Sequence, residues 1–221
     1  MVKQMPIISF MGLDGSGKST SIEYAYDQLK KMGYDVEIVR AAYVIKYMTA
    51  LKDFGKKLIM KKKSDPYSGD YRAYLETMRK QSTDGIVYKV FSLMTTLEFK
   101  LQIWQEIVRK QKKGKLLLVD RYIYDNAVTY AANLGLGEEY MRETIEGKWK
   151  RAPKPNKIIY IRTSVPVCCS RKDDIPDPLY LEIREPLYDK IAEMYGATVI
   201  SGQKELDSML EQVMSTIKEV L

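Results

Sequence analysis

Five short apolar runs punctuate the chain, at 7–11, 36–39, 116–119, 158–161 and 197–200. Most are dominated by Ile, Val or Leu with no polar alternation, which marks strands buried on both faces. Between them the apolar positions recur at helical spacing. A helix is predicted over 19–32 and closed by Gly33, a long one over 86–113 and closed by Gly114, and a last one over 205–220. Residues 43–80 are mixed and are broken by Asp65-Pro66 and Ser68-Gly69. Strands alternating with helices predict an α/β protein whose five-stranded parallel sheet carries helices on both faces. Ligands of such sheets bind at the carboxyl ends of the strands. Here those ends are Gly12, Arg40, Asp120, Arg162 and Ser201.

The first of these ends has the densest chemistry. Gly12-Leu13-Asp14-Gly15-Ser16-Gly17-Lys18-Ser19 follows the first apolar run and opens the first predicted helix. This is the G-x-x-x-x-G-K-[ST] pattern of a phosphate-binding loop in its proper setting. Gly12, Gly15 and Gly17 allow a sharp turn and a close backbone approach to an anion. The N–H groups running into the helix, through Ser19 and Thr20, point at phosphate oxygens. Lys18 adds a full charge near the β and γ phosphates, and the Ser19 hydroxyl can ligate Mg2+. A nucleoside triphosphate and Mg2+ are therefore the expected ligands.

Composition narrows the chemistry further. The 221 residues contain no histidine, which excludes a histidine base or a histidine-containing zinc site. The two cysteines are adjacent, Cys168-Cys169, and read as small apolar residues rather than a disulfide framework. No run approaches the roughly 18 apolar residues of a membrane span, and the first residues lack a signal-peptide layout, so a cytoplasmic protein with no membrane partner is expected. The net charge of +7, from 36 Lys+Arg against 29 Asp+Glu, suits anionic ligands. Its densest cluster, Lys56-Lys57 and Lys61-Lys62-Lys63, reads as a solvated face and not as a nucleic-acid-binding module.

Asp120-Arg121-Tyr122 directly follows the third apolar run. An acid at the end of a buried strand is what a phosphate-loop protein uses to hold Mg2+, and the guanidinium fork of Arg121 can grip a second phosphate. Together with 12–20, these residues resemble the thymidylate kinases. That family has an acid in the slot of Asp14 and an Asp-Arg-[Tyr/His] motif, and Thr198-Val199-Ile200-Ser201-Gly202 is similar to its last strand and the loop beside the adenine. The resemblance implies the P-loop NTPase fold of the nucleoside monophosphate kinase type, with strand order 2-3-1-4-5. It implies one kinase domain over 1–221, with a helical acceptor-side segment at about 43–80 and a lid at about 170–178. It also implies transfer of the ATP γ-phosphate to a nucleoside monophosphate, dTMP above all. Lys18 would then stabilise the transferring group, Ser19 and Asp120 would hold Mg2+, Asp14 would face the acceptor sugar, and Arg121 would clamp the acceptor phosphate. Arg171, in Ser170-Arg171-Lys172-Asp173-Asp174, would supply the lid charge, with Lys172 and Arg184 as the other candidates. The family is often dimeric through its long helices, so 86–113 is a candidate homodimer face.

The departures all fall on the acceptor side. The family's Arg-Glu-Pro-Gly is here Arg40-Ala41-Ala42-Tyr43, and the slot of its base-side arginine falls near Phe99. Arg40, Tyr43, Arg72, Arg79, Phe91, Thr95 and Phe99 remain candidates for an acceptor pocket. Two other readings stay open: a kinase for a different nucleotide, nucleoside or specialised metabolite, and a non-catalytic nucleotide-binding module. Against the second, Asn156-Lys157 runs on as Ile158-Ile159 and makes no guanine motif.

Overall fold

The computed structural model describes residues 5–41, 70–82 and 86–221, with backbone alone at 81–82 and 86–92. Five strands form one all-parallel sheet: β1 (Ile7–Met11), β2 (Val36–Arg40), β3 (Leu116–Asp120), β4 (Lys157–Arg162) and β5 (Thr198–Ser201). Their order is β2-β3-β1-β4-β5, as expected from the resemblance. Each strand is separated from its sheet neighbour by a long crossover, as parallel pairing demands.

The side-chain alternation of β1 shows how the core divides. Ile7 and Met11 point to one face and join Leu117, Val119, Tyr160 and Tyr188, while Ile8 and Phe10 point to the other and join Leu118, Ile159, Ile161 and Ile200. The second face is covered by α1 (Lys18–Lys31), through Ile22, Ala25 and Leu29. The chain then passes α2 (Tyr71–Ser82) and α3 (Ile86–Gln102). A π-helical stretch, Ile103–Val108, continues α3 without a break into α4 (Arg109–Lys112), so the expected helix over 86–113 is present but widened by a π turn at its end. Along its exposed side Leu93, Leu97, Leu101 and Trp104 form an apolar row.

The first face is closed by α5 (Ile123–Leu134), by α6 (Glu138–Glu143) with the π turn Thr144–Lys148, and, beyond α7 (Val165–Arg171) and α8 (Pro178–Glu182), by α9 (Glu185–Tyr195). The last helix, α10 (Leu206–Lys218), returns to the second face beside α1 through Met209, Val213 and Ile217. None of the described helices is long and apolar enough to cross a membrane. The register places Arg40 opposite Asp120, and Arg162 opposite Ser201, so the C-terminal ends of all five strands open on one edge.

Candidate active site

The loop between β1 and α1 is pinned from three sides. Thr163, just past β4, donates its hydroxyl to the carbonyl of Ser16 at 3.0 Å. Gly202, just past β5, sits so close to Thr163 and Ser16 that a Cβ would overlap both. Gly15 has φ +81, and a Cβ there would lie 2.6 Å from the carbonyl of Cys168 in α7. No L side chain fits there, so glycine at 15 reflects a steric requirement as well as a turn. Lys18, only 5% exposed, folds back over the loop and donates to the carbonyls of Gly12 at 2.8 Å and Leu13 at 2.5 Å. Burial, and after it the charge of Arg121, pulls its ammonium down to about 8, against the opposing carboxylates of Asp14, Asp125 and Asp120. A buried cation whose hydrogen-bond partners are two carbonyls and the Ser16 hydroxyl, at 3.4 Å, is poised for an anion.

Asp14, Ser16, Gly17, Lys18, Ser19 and Thr20 line a cleft of about 390 Å3 together with Arg40, Asp120, Arg121, Arg171 and Lys172. The sheet register sets Arg40 and Asp120 side by side, with Nε and Oδ2 at 3.8 Å. Ser19 and Asp120 offer a hydroxyl and a carboxylate to the same space, a hard-oxygen donor set that fits Mg2+ with triphosphate oxygens completing the shell. Among the described residues no three His, Cys, Asp or Glu side chains come together as a metal site.

Arg121 is the hub of the site. It is the only described non-glycine residue with positive φ, at 62°, a conformation that costs on the order of 1 kcal/mol and is kept where surrounding contacts hold it. Its N–H donates to the carbonyl of Phe10. One guanidinium nitrogen donates to Asp14, and the other lies 3.8 Å from Asp125. Burial works against the Arg121 charge, but Tyr188, Asp14 and Asp125 more than compensate. Asp14 feels a burial penalty too, outweighed by Arg121, Lys18 and Lys172, so its carboxyl lies below the usual range. Asp125, fully buried at the start of α5, is instead pushed up by burial despite Arg121 and Lys18. It accepts hydrogen bonds from the Tyr188 hydroxyl at 2.8 Å and the Tyr122 N–H at 3.1 Å.

A second hollow of about 320 Å3 adjoins the first beyond Gly17 and Thr20, lined also by Gly202, Lys204, Leu206 and Met209. Arg171 bounds both and donates to the carbonyl of Gly202 at 2.9 Å. Lys172 borders only the first and pairs with Asp174 at 3.1 Å.

Several expected acceptor residues sit elsewhere. Phe99 is 0% exposed, its ring edge-on to Trp149 in the core, because the face of α3 it occupies turns inward. Arg79 packs its guanidinium against Gly135, at the C-terminal cap of α5, whereas Arg121 and Asp125 stand at the opposite end, about 18 Å away along a twelve-residue helix. Arg184 is 4% exposed and bonded to Tyr71, Asn133 and the carbonyl of Tyr180, which removes it as a mobile lid charge. Arg72 is exposed on α2, and Thr95 is buried on α3. Tyr43, the Lys56–Lys63 cluster, most of the segment 43–80 and the side chain of Phe91 lie outside the described residues. Conversely, Thr163, Tyr180, Tyr188 and Asp125 join these residues through tertiary contacts and carry no sequence motif.

No protein-family model matches the chain. It is similar along nearly its whole length to curated proteins. It is 24% identical to the probable thymidylate kinase of Sulfurisphaera tokodaii, over 95% of this chain and 94% of that protein. It is 23% identical to the probable thymidylate kinase of Sulfolobus acidocaldarius, over 98% of both chains. It is also 24% identical to the thymidylate kinase of Caldanaerobacter subterraneus subsp. tengcongensis, over 97% of this chain and 95% of that one.

Proposed function

We propose that this protein is a nucleoside monophosphate kinase of the thymidylate kinase kind, moving the γ-phosphoryl group of ATP to dTMP. The carrying observation is that one cleft holds two separate cationic stations, Lys18 in the loop and Arg121 with Arg40 across from it. A passive nucleotide binder has no use for the second. The near-full-length similarity to proteins named thymidylate kinase supports the same reading.

In this reading the loop N–H groups and Lys18 take the β and γ phosphates, and Ser19 and Asp120 hold Mg2+, which neutralises charge on the triphosphate when bound. Arg121 and Arg40 hold the acceptor phosphate in line, and Asp14 faces the acceptor sugar. Gly202 borders the donor base. Catalysis is positioning and charge neutralisation, with no covalent enzyme intermediate. We place the lid at the connector between α7 and α8, within the expected 170–178. A cytoplasmic location goes with an enzyme that uses ATP, and the apolar row Leu93, Leu97, Leu101 and Trp104 suits the homodimer expected of the long helix.

The two lid cations divide the work. Arg171 is bound to the Gly202 carbonyl beside the donor base, whereas Lys172, paired with the exposed Asp174, also acts on Asp14 through its charge. Lys172→Ala is therefore expected to lower kcat about a hundredfold with the ATP dissociation constant within threefold, as for a group that acts mainly in the transition state. Arg171→Ala is expected to weaken ATP about tenfold with a smaller loss of kcat. Steady-state kinetics with nucleotide binding would check this, and the reverse pattern would return the transition-state charge to Arg171.

A panel of acceptors in a coupled ADP-release assay tests the function. Acceptor-dependent release with dTMP is the expected result. The burial of Phe99 in the slot of the family's arginine favours one second reading, the same reaction on another acceptor, and release with that acceptor alone would establish it. No acceptor-dependent release from any nucleotide, nucleoside or phosphorylated metabolite would sink the kinase reading.

A further inference from the structure

The Asp14 carboxylate has two partners. Arg121 occupies Oδ1, and the hydroxyl of Tyr180 donates to Oδ2 at 3.1 Å. Tyr180 lies in α8, 166 residues further along the chain, on the far side of the connector that carries Lys172. It is itself held. The Arg184 guanidinium lies 3.8 Å from the centre of its ring, and Arg184 Nη1 donates to its carbonyl at 2.8 Å. Arg184 also donates to the Tyr71 hydroxyl at 2.9 Å, at the start of α2, and to Asn133 Oδ1 at 2.9 Å, in the last turn of α5. The Tyr71 ring meets Tyr180 edge-on at 5.7 Å. A single line of contacts thus runs from α2 through Tyr71, Arg184 and Tyr180 to the phosphate loop and Arg121.

We propose that Tyr180 is a positioning residue: its hydroxyl fixes the Asp14 carboxylate, and with it the direction of the Arg121 fork, while Arg184 braces Tyr180 and ties it to α2. The proposal deepens the kinase reading and rests on it for its kinetic consequence.

The physical logic is that a carboxylate held at one oxygen presents the other in one orientation. Without Tyr180, Asp14 turns about its side-chain bonds, and Arg121 follows it or slides toward Asp125. Burial, against the lowering charge of Arg184 and with Asp14 adding to the rise, holds the Tyr180 phenol at about 12, so it stays a donor at neutral pH. A charged guanidinium stacked on an aromatic face away from water is attracted by the ring's electrons and helps keep the ring in place. The arrangement also couples three moving parts. When the connector carrying Lys172 shifts, Tyr180 shifts with α8, and the Asp14–Arg121 pair responds. Closure of the lid and orientation of the acceptor clamp become one event.

Tyr180→Phe isolates the claim, because it keeps the ring that Arg184 covers and removes only the oxygen. In the ligand-free protein, hydrogen exchange is expected to quicken about tenfold at the amides of 12–17 and 172–183, with the strands unchanged. Unchanged exchange in those two segments would overturn the proposal whether or not the protein is a kinase. With dTMP as acceptor, Tyr180→Phe is expected to lower kcat/KM for dTMP about tenfold, with the KM for ATP within twofold. An equal loss on both substrates that tracks a lowered melting temperature would mark Tyr180 as structural and also overturn it. Arg184→Lys, which keeps a cation but loses the fork, is expected to fall between the wild type and Tyr180→Phe in the same split. Inactivity of the wild type on every acceptor would count against the kinase reading alone, and the exchange result would still decide whether Tyr180 positions the loop.

Discussion

Lys18→Ala is expected to abolish turnover, lowering kcat at least a thousandfold, about 4 kcal/mol of transition-state stabilisation. Its ammonium is the only cation inside the loop itself, and the other described cations of the cleft are engaged elsewhere, Arg121 with Asp14, Arg40 with Asp120, Arg171 with Gly202 and Lys172 with Asp174. The variant also removes the donor to the Gly12 and Leu13 carbonyls, so some loss comes from a loosened loop. Lys18→Arg, which keeps a charge and donors, helps to separate the two effects. The same ammonium gives a pH signature. Its pKa of about 8 in the free protein means that it is increasingly neutral above that pH, whereas a bound triphosphate stabilises its charged form. Binding is then coupled to proton uptake: affinity is flat below about pH 7.5 and falls toward tenfold per pH unit above about 8.5. Isothermal titration in buffers of different ionisation enthalpy would read the proton directly. Near-normal turnover in Lys18→Ala, or pH-independent ATP affinity to pH 10, would refute the role given to this residue.

The phosphate-loop half of the cleft was legible in the sequence because its residues are local. The loop 12–19, the strand before it and the helix after it are contiguous, and Asp120 ends a strand whose apolar run needs no partner to be recognised. The sheet was legible for the same reason. Strands covered on both faces read as unbroken apolar runs, and the register that brings Arg40 beside Asp120 follows from their parallel pairing. What was not legible depends on packing between distant elements. α5 is buried around most of its circumference, with Tyr124, Asp125, Asn126, Ala127 and Val128 all inside, so it lacks the polar face that produces a helical period. The π stretch at Ile103–Val108 turns the end of the long helix by an amount that no spacing rule records. Arg79 and Phe99 occupy plausible positions in the sequence and are carried away from the cleft by the rotation of their helices. Tyr180, Tyr188 and Arg184 join the site through tertiary hydrogen bonds alone.

Arg121 is where these two halves meet, and its removal should be the most selective lesion on the acceptor side. Arg121→Ala is expected to lower kcat/KM for the acceptor by a factor of about a thousand while the ATP dissociation constant changes less than threefold. The guanidinium reaches Asp14 with one nitrogen and stands 3.8 Å from Asp125 with the other, leaving donors for a phosphate between them. Alanine also takes away a cation that Asp14 shares with the buried Asp125, which destabilises the fold and pushes the Asp125 pKa, already raised, further up. A loss of activity in this variant could therefore come from the fold rather than the clamp. The backbone separates the two. Arg121 holds φ at 62°, which alanine inherits as strain and glycine does not. Arg121→Gly should thus be more stable than Arg121→Ala by about 1 kcal/mol in denaturant titrations and equally deficient with the acceptor. If activity instead recovers along with stability in the glycine variant, the guanidinium is not the clamp, and the acceptor phosphate is held by Arg40.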